Sequence, residues 1–226
     1  RSKMASAPLV AAIKQCEQFP RPAASTKALL SSAKGVCELR EVLDKTDFAK
    51  AASWAELHRF LDGGAVERAL GAEGAEKDEF NDARKQLDTM RDHTERCVTS
   101  ALKAGGSVQK PYPQCWDHSA IDTKALTAAA EECAAFPRPS AEAVKLIASA
   151  KLIVTLRSAL IKVEPGAVSS WAPLAAVLCT VPPEDLALAE VKLALLEFRE
   201  ARQQVVDAVN AAFKDGCSKP PTPPSK

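Results

Sequence analysis

The segment Ala11–Pro22 reads AAIKQCEQFPRP, and Ala128–Pro139, 117 positions later, reads AAAEECAAFPRP. At that offset the match runs without a gap to Leu57 and Leu174, with 20 of 47 positions identical where chance gives a few. The identities pair Leu29 with Leu146, Ala33 with Ala150, Lys34 with Lys151, Leu39 with Leu156, Arg40 with Arg157 and Leu43 with Leu160. They also pair Ser53-Trp54-Ala55 with Ser170-Trp171-Ala172. Self-similarity at a fixed offset marks a repeated structural unit. The expected fold is all-α: two tandem homologous helical-bundle repeats of about four helices each. The first covers residues 1–115 and the second 116–226, ending in a Pro-rich tail.

Past the tryptophans the offset falls to 111, because GGAVERALGAEGAE in the first copy shortens to TVPPEDLA in the second. Arg91 then aligns with Arg202, and both copies close on a basic, proline-containing stretch. Such an end reads as a linker, and the chain as a segment of a longer array. Arg1-Ser2-Lys3-Met4 reads as an excised edge.

Composition supports helices. Aromatic residues are 5% and glycines number nine, while alanine and leucine carry much of the 46% hydrophobic fraction. Alanine and unbranched side chains lose little entropy in a helix, whereas sheets draw on aromatic and β-branched residues. Four helices are expected per copy. The first, about 5–18 and 122–135, ends at Phe-Pro-Arg-Pro, since a residue before proline leaves the helical region. Pro22 and Pro139 suit the start of the second helix, about 23–45 and 140–163. There Ala28, Leu29, Ala33, Val36, Leu39 and Leu43 make one stripe three or four residues apart. A short helix follows at about 52–61 and 170–179, with Ser53 and Ser170 as expected N-caps. A long last helix covers about 76–103 and 183–214. Its second version opens on Glu184 and Asp185, and Gly105 and Gly216 stand where C-caps are expected.

Charge and cysteines bound the function. Thirty basic residues against 29 acidic leave a formal charge of +1, without the basic excess that phosphate neutralisation needs. No nucleic-acid partner is expected. No run of eighteen apolar residues suggests a membrane span, and no signal-peptide pattern opens the sequence. The seven cysteines, Cys16, Cys37, Cys97, Cys115, Cys133, Cys179 and Cys217, are odd in number and lack CxxC or Cys/His ligand spacing. Reduced thiols in a cytoplasmic protein fit this usage. No metal and no cofactor is expected. The acidic cluster Glu76, Asp78, Glu79 and Asp82 reads as an exposed first helical turn.

Candidate residues follow from the duplication. Trp54, Trp171, Leu39, Leu156, Phe19 and Phe136 are expected in the core, the tryptophans wedging the short helix against the longer ones. Arg40 and Arg157 recur as candidate partner contacts, although a recurring cation more often satisfies carbonyls or a carboxylate. Thr222, in the extended tail SKPPTPPSK, is a candidate docking or phosphorylation site. Catalysis needs convergent activated groups, and no GxSxG, HExxH, P-loop or dinucleotide fingerprint appears. The expectation is a non-catalytic module for protein–protein interaction or scaffolding. By analogy of architecture alone it belongs with cytoskeletal or ciliary repeat proteins. The alternative is a small-molecule-binding or enzymatic bundle with a pocket between the copies.

Overall fold

A computed structural model describes residues 6–63, 75–104, 121–164 and 166–217, and every regular element among them is helical. Helix α1 (Ala7–Glu17) starts with Pro8 in its first turn, where a missing N–H costs nothing. It stops before Phe19-Pro20-Arg21-Pro22, in which Arg21 takes φ 56°, and the matched Arg138 takes φ 49°. Both arginines therefore adopt the left-handed conformation that reverses the chain between two helices.

Helix α2 (Ala24–Lys45) buries Ala33, Val36, Leu39, Val42 and Leu43 at the expected three-and-four spacing, but Ala28 and Leu29 at the start of the expected stripe are exposed. Pro22 and Pro139 lie ahead of the helices they were expected to start, which are α2 and α6 (Ala141–Leu160). Ser140 caps α6 instead, its Oγ accepting the Ala143 N–H at 2.9 Å.

A 3₁₀ turn, Ala51–Trp54, leads into α3 (Ala55–Asp62), and Val168–Trp171 leads into α7 (Ala172–Cys179). The two serines do not cap these helices, whose N-cap positions are the tryptophans. Ser53 Oγ sits on the carbonyls of Lys50 (2.7 Å) and Asp47 (2.5 Å). Ser170 Oγ sits on those of Ala167 (2.7 Å) and Glu164 (3.1 Å), 117 positions on in each case. The N–H groups of Ser53 and Ser170 bond to the same Lys50 and Ala167 carbonyls, so each serine binds the chain behind it.

Helices α4 (Ala75–Ala104), α5 (Lys124–Ala135) and α8 (Ala189–Cys217) complete the set. The helix expected from Pro183 is two elements. A 3₁₀ turn, Pro183–Ala187, holds Glu184 and Asp185, and Leu188 at ψ 134° breaks it from α8. Asp185 is buried and accepts the Ser149 hydroxyl at 2.6 Å, which fixes the turn. Gly216 lies inside the last turn of α8, not beyond it, and Gly105 lies outside the described residues.

Two compact units divide the chain, Arg1–Ala101 with Thr127–Ala148, and Leu102–Leu126 with Ser149–Lys226. The first thus takes the segment 127–148 from beyond the expected boundary near residue 115. Its core joins Val36, Leu39, Leu43, Trp54, Leu57, Leu61, Phe80 and Phe136. Phe48 meets the Trp54 ring edge-on at 5.0 Å. Among the described residues the buried Trp54 Nε1 finds no acceptor.

Phe19 requires a correction. It is 69% exposed, whereas Phe136 is 4% exposed. Helix α1 packs on α2 through Leu9, Val10 and Ile13 against Ala33 and Cys37, and the following turn carries Phe19 past that contact into solvent. In the second unit Ile153, Leu156, Leu160, Leu174, Val191 and Ala194 are buried. Trp171, expected in the core, is only half-buried and lies 6.3 Å from Phe198.

Candidate interaction site

The two arginines, candidate partner contacts read more readily as structural cations, face inward. Arg40 Nε donates to Glu79 Oε2 at 2.9 Å, and its Nη2 donates to Oε1 of the same carboxylate. These bonds raise the Arg40 pKa further above its ordinary range. Arg157 makes the same fork on Glu190, through Nε at 2.9 Å and Nη2 at 2.6 Å. It also donates to the carbonyl oxygens of Asp122 (2.9 Å) and Leu102 (3.4 Å). Glu79 and Glu190 are 111 positions apart, the offset at which Arg91 aligns with Arg202. With 1% exposure, Arg157 has no surface to offer, and its assignment as a partner contact is withdrawn. A guanidinium so placed holds four chain segments together, which is a structural role.

Glu79, expected in an exposed acidic first turn, is thereby held by Arg40. Among the described residues no group of three or more His, Cys, Asp or Glu side chains could hold a metal ion. Nor is any helix among them long and apolar enough to cross a membrane. Thr222 and the Pro-rich tail lie outside the described residues.

The thiols separate by burial. Burial pushes Cys37 and Cys133 up from the ordinary thiol value, so neither is an activated thiolate. Cys97 and Cys179 are exposed, with Cys97 Sγ 3.6 Å from His93 Nε2 on the same helix face. Maleimide labelling of the native protein, read by peptide mass spectrometry, is expected to mark Cys97 and Cys179 and to spare Cys37 and Cys133. Rapid native labelling of Cys133 would refute this burial pattern. Since both buried thiols ionise later in the fold than in the open chain, stability falls as pH rises past their ordinary value of 9.0.

The first unit contains one worked example of docking, the seat of α5 and the turn after it. Glu132 accepts the Ala51 N–H at the start of a 3₁₀ turn. The Thr94 hydroxyl, which donates to the Arg91 carbonyl at 2.8 Å, lies by the Cys133 thiol, and Ser140 Oγ donates to Glu95 at 2.9 Å. Phe136 enters the cluster that holds Trp54, Leu57 and Phe80. Arg138 closes the seat on Asp62, which also lies 3.4 Å from His58 Nδ1. The hollow between His58, Asp62 and Arg138 is open to solvent and encloses nothing.

The second unit presents an uncovered apolar stripe. Val205, Val209 and Phe213, four residues apart on α8, are exposed together with Val206, and Phe213 reaches 68%. The exposed parts of the long helices were expected to supply a partner surface, but this stripe on the last helix was not singled out. Its four-residue spacing was readable, but which helices would cover it was not. Among the protein-family models, curated proteins and solved structures compared with it, none matches the chain.

Proposed function

We propose that the chain is a pair of homologous helical units serving as a non-catalytic protein–protein interaction or scaffold module. Homology is supported by recurrence of whole contacts, not of residues alone. The forked Arg–Glu pair, the backward-bonded serine and the left-handed arginine each return at the offset that aligns the sequence. Unrelated helices would have little reason to reproduce all three.

The observation that carries the interaction reading is the stripe Val205, Val206, Val209 and Phe213. Contiguous apolar side chains at helical spacing on a surface mark a site that another chain covers. The shared cations Arg40 and Arg157 are held in internal pairs with Glu79 and Glu190, which favours the apolar face as the binding surface. A cytoskeletal or ciliary array is one setting for such a module, by architecture only.

The test uses the full chain as bait against a lysate, with quantitative mass spectrometry, beside Val209→Asp as control. The expected result is a protein enriched more than about tenfold by the parent chain and lost with the variant, a change of about 1.4 kcal/mol or more in binding. A panel of metabolites in thermal-shift assay is expected to leave the melting temperature unchanged. A saturable rise with one of them, and no stripe-dependent protein, would overturn the scaffold reading in favour of a small-molecule site.

A further inference from the structure

The seat that segment 127–148 fills on the first unit has an unfilled counterpart on the second, and the filler has an unfilled counterpart on α1. In the filled seat Ala51 and Val98 are wholly buried, and Thr94 and Trp54 nearly so. At the matched offsets of 117 and 111 stand Val168, Val209, Val205 and Trp171. Val168 is 63% exposed where Ala51 shows nothing, Val205 and Val209 are exposed, and Trp171 is only half-buried. On the filler side, Phe136 corresponds to the exposed Phe19, and Arg138 to Arg21, which already holds the same left-handed backbone. Both halves of one contact are thus present on a single chain, each without its mate.

The residues that differ do so in step. In the filled seat Ser140 bonds Glu95, and the matched positions are Ala23 and Val206. Cys133 lies on Thr94, and the matched positions are Cys16 and Val205. A polar pair has become an apolar pair, and a hydroxyl facing a thiol has become an isopropyl group facing one. Gln15 replaces Glu132 and keeps an oxygen able to accept the Val168 N–H. The one loss is Asp62, replaced by Cys179, which leaves Arg21 without the carboxylate that Arg138 has. Matched apolar replacement on both sides favours this occupant over an unrelated helix, because unpaired polar groups would otherwise be buried.

We infer that a second copy of this chain docks its α1 and following turn, residues 7–23, onto α8 and the 3₁₀ turn before α7. Phe19 enters beside Trp171 as Phe136 enters beside Trp54. The inference rests on the duplication and on the scaffold reading, and it names the partner. Donor and acceptor are different patches, so the contact is heterologous and joins copies head to tail. It is driven by apolar burial, so salt does not dissolve it.

Sedimentation velocity of the full chain from about 10 μM to about 1 mM, a span that brackets micromolar association, tests the inference. The weight-average mass is expected to rise with concentration at both low and high salt. Phe19→Asp and Val209→Asp should each stay at the mass of one chain, with helical circular dichroism unchanged because both side chains are exposed. An equimolar mixture of the two variants should form a dimer and nothing larger, since each retains the surface the other lacks. A parent chain of constant mass, or association that ignores both substitutions, overturns the proposal. A constant mass alongside a stripe-dependent partner in the lysate would overturn self-docking and leave the scaffold reading standing.

Discussion

Replacing Arg157 with methionine is expected to destabilise the second unit by about 3–5 kcal/mol, the usual cost of stranding a buried charge. The guanidinium is fully enclosed and forks onto Glu190, whose side chain is itself largely covered. Removing it leaves that carboxylate without a counter-charge and frees the carbonyl oxygens of Asp122 and Leu102. The companion substitution Glu190→Leu should recover much of the loss, because a well-packed apolar pair replaces a buried ion pair at little cost. Urea unfolding followed by helical circular dichroism reads both effects as shifts in midpoint. Arg40→Met makes the internal comparison. Its pair with Glu79 keeps partial contact with water, and a loss of about 1–2 kcal/mol is expected. Equal losses at the two arginines would show that burial does not set the cost.

Trp54→Ala should cost the first unit about 3–5 kcal/mol, since the indole fills the centre of its cluster and nothing adjacent can collapse into the gap. Trp171→Ala should cost about half as much, because the matched indole is only half-buried. Identical residues in matched settings would then differ in worth through their cover alone. Trp54→Phe should be mild, about 1 kcal/mol, because the indole N–H that it removes meets no acceptor among the described residues. Thermal unfolding of the three variants provides the ranking, and a Trp171→Ala loss as large as that of Trp54→Ala would overturn it.

Helix positions were legible because the Phe-Pro-Arg-Pro breaks and the apolar spacing act within a few residues of where they stand. Leu39 and Leu156 were legible for the same reason, each at the centre of a stripe on its helix. The arginines were read more readily as structural cations than as partner contacts, and they are such, but the carboxylates that hold them were not named. Their partners Glu79 and Glu190 lie 39 and 33 residues away, and only aligning the copies at the second offset brings those carboxylates into register. That signal was in the sequence and went unread. Phe19 and Phe136 mark the limit of such reading. Both sit in the same tetrapeptide, yet one is covered and the other bare. Cover depends on which distant segment arrives, and no local pattern records that.

The placement of Phe136 also orders events during synthesis. Trp54, Leu57 and Phe80 leave the ribosome well before the residue that completes their cluster. Until about twenty further residues beyond the expected boundary near 115 have emerged, the nascent first unit is unfinished, with its seat bare. A nascent chain in that condition presents a seat matched to its own later segment, whose Ser140 finds Glu95 there, whereas α1 carries Ala23 at the corresponding position. Synthesis of the residues up to Phe136 therefore sets how long Trp54, Leu57 and Phe80 wait for their cover.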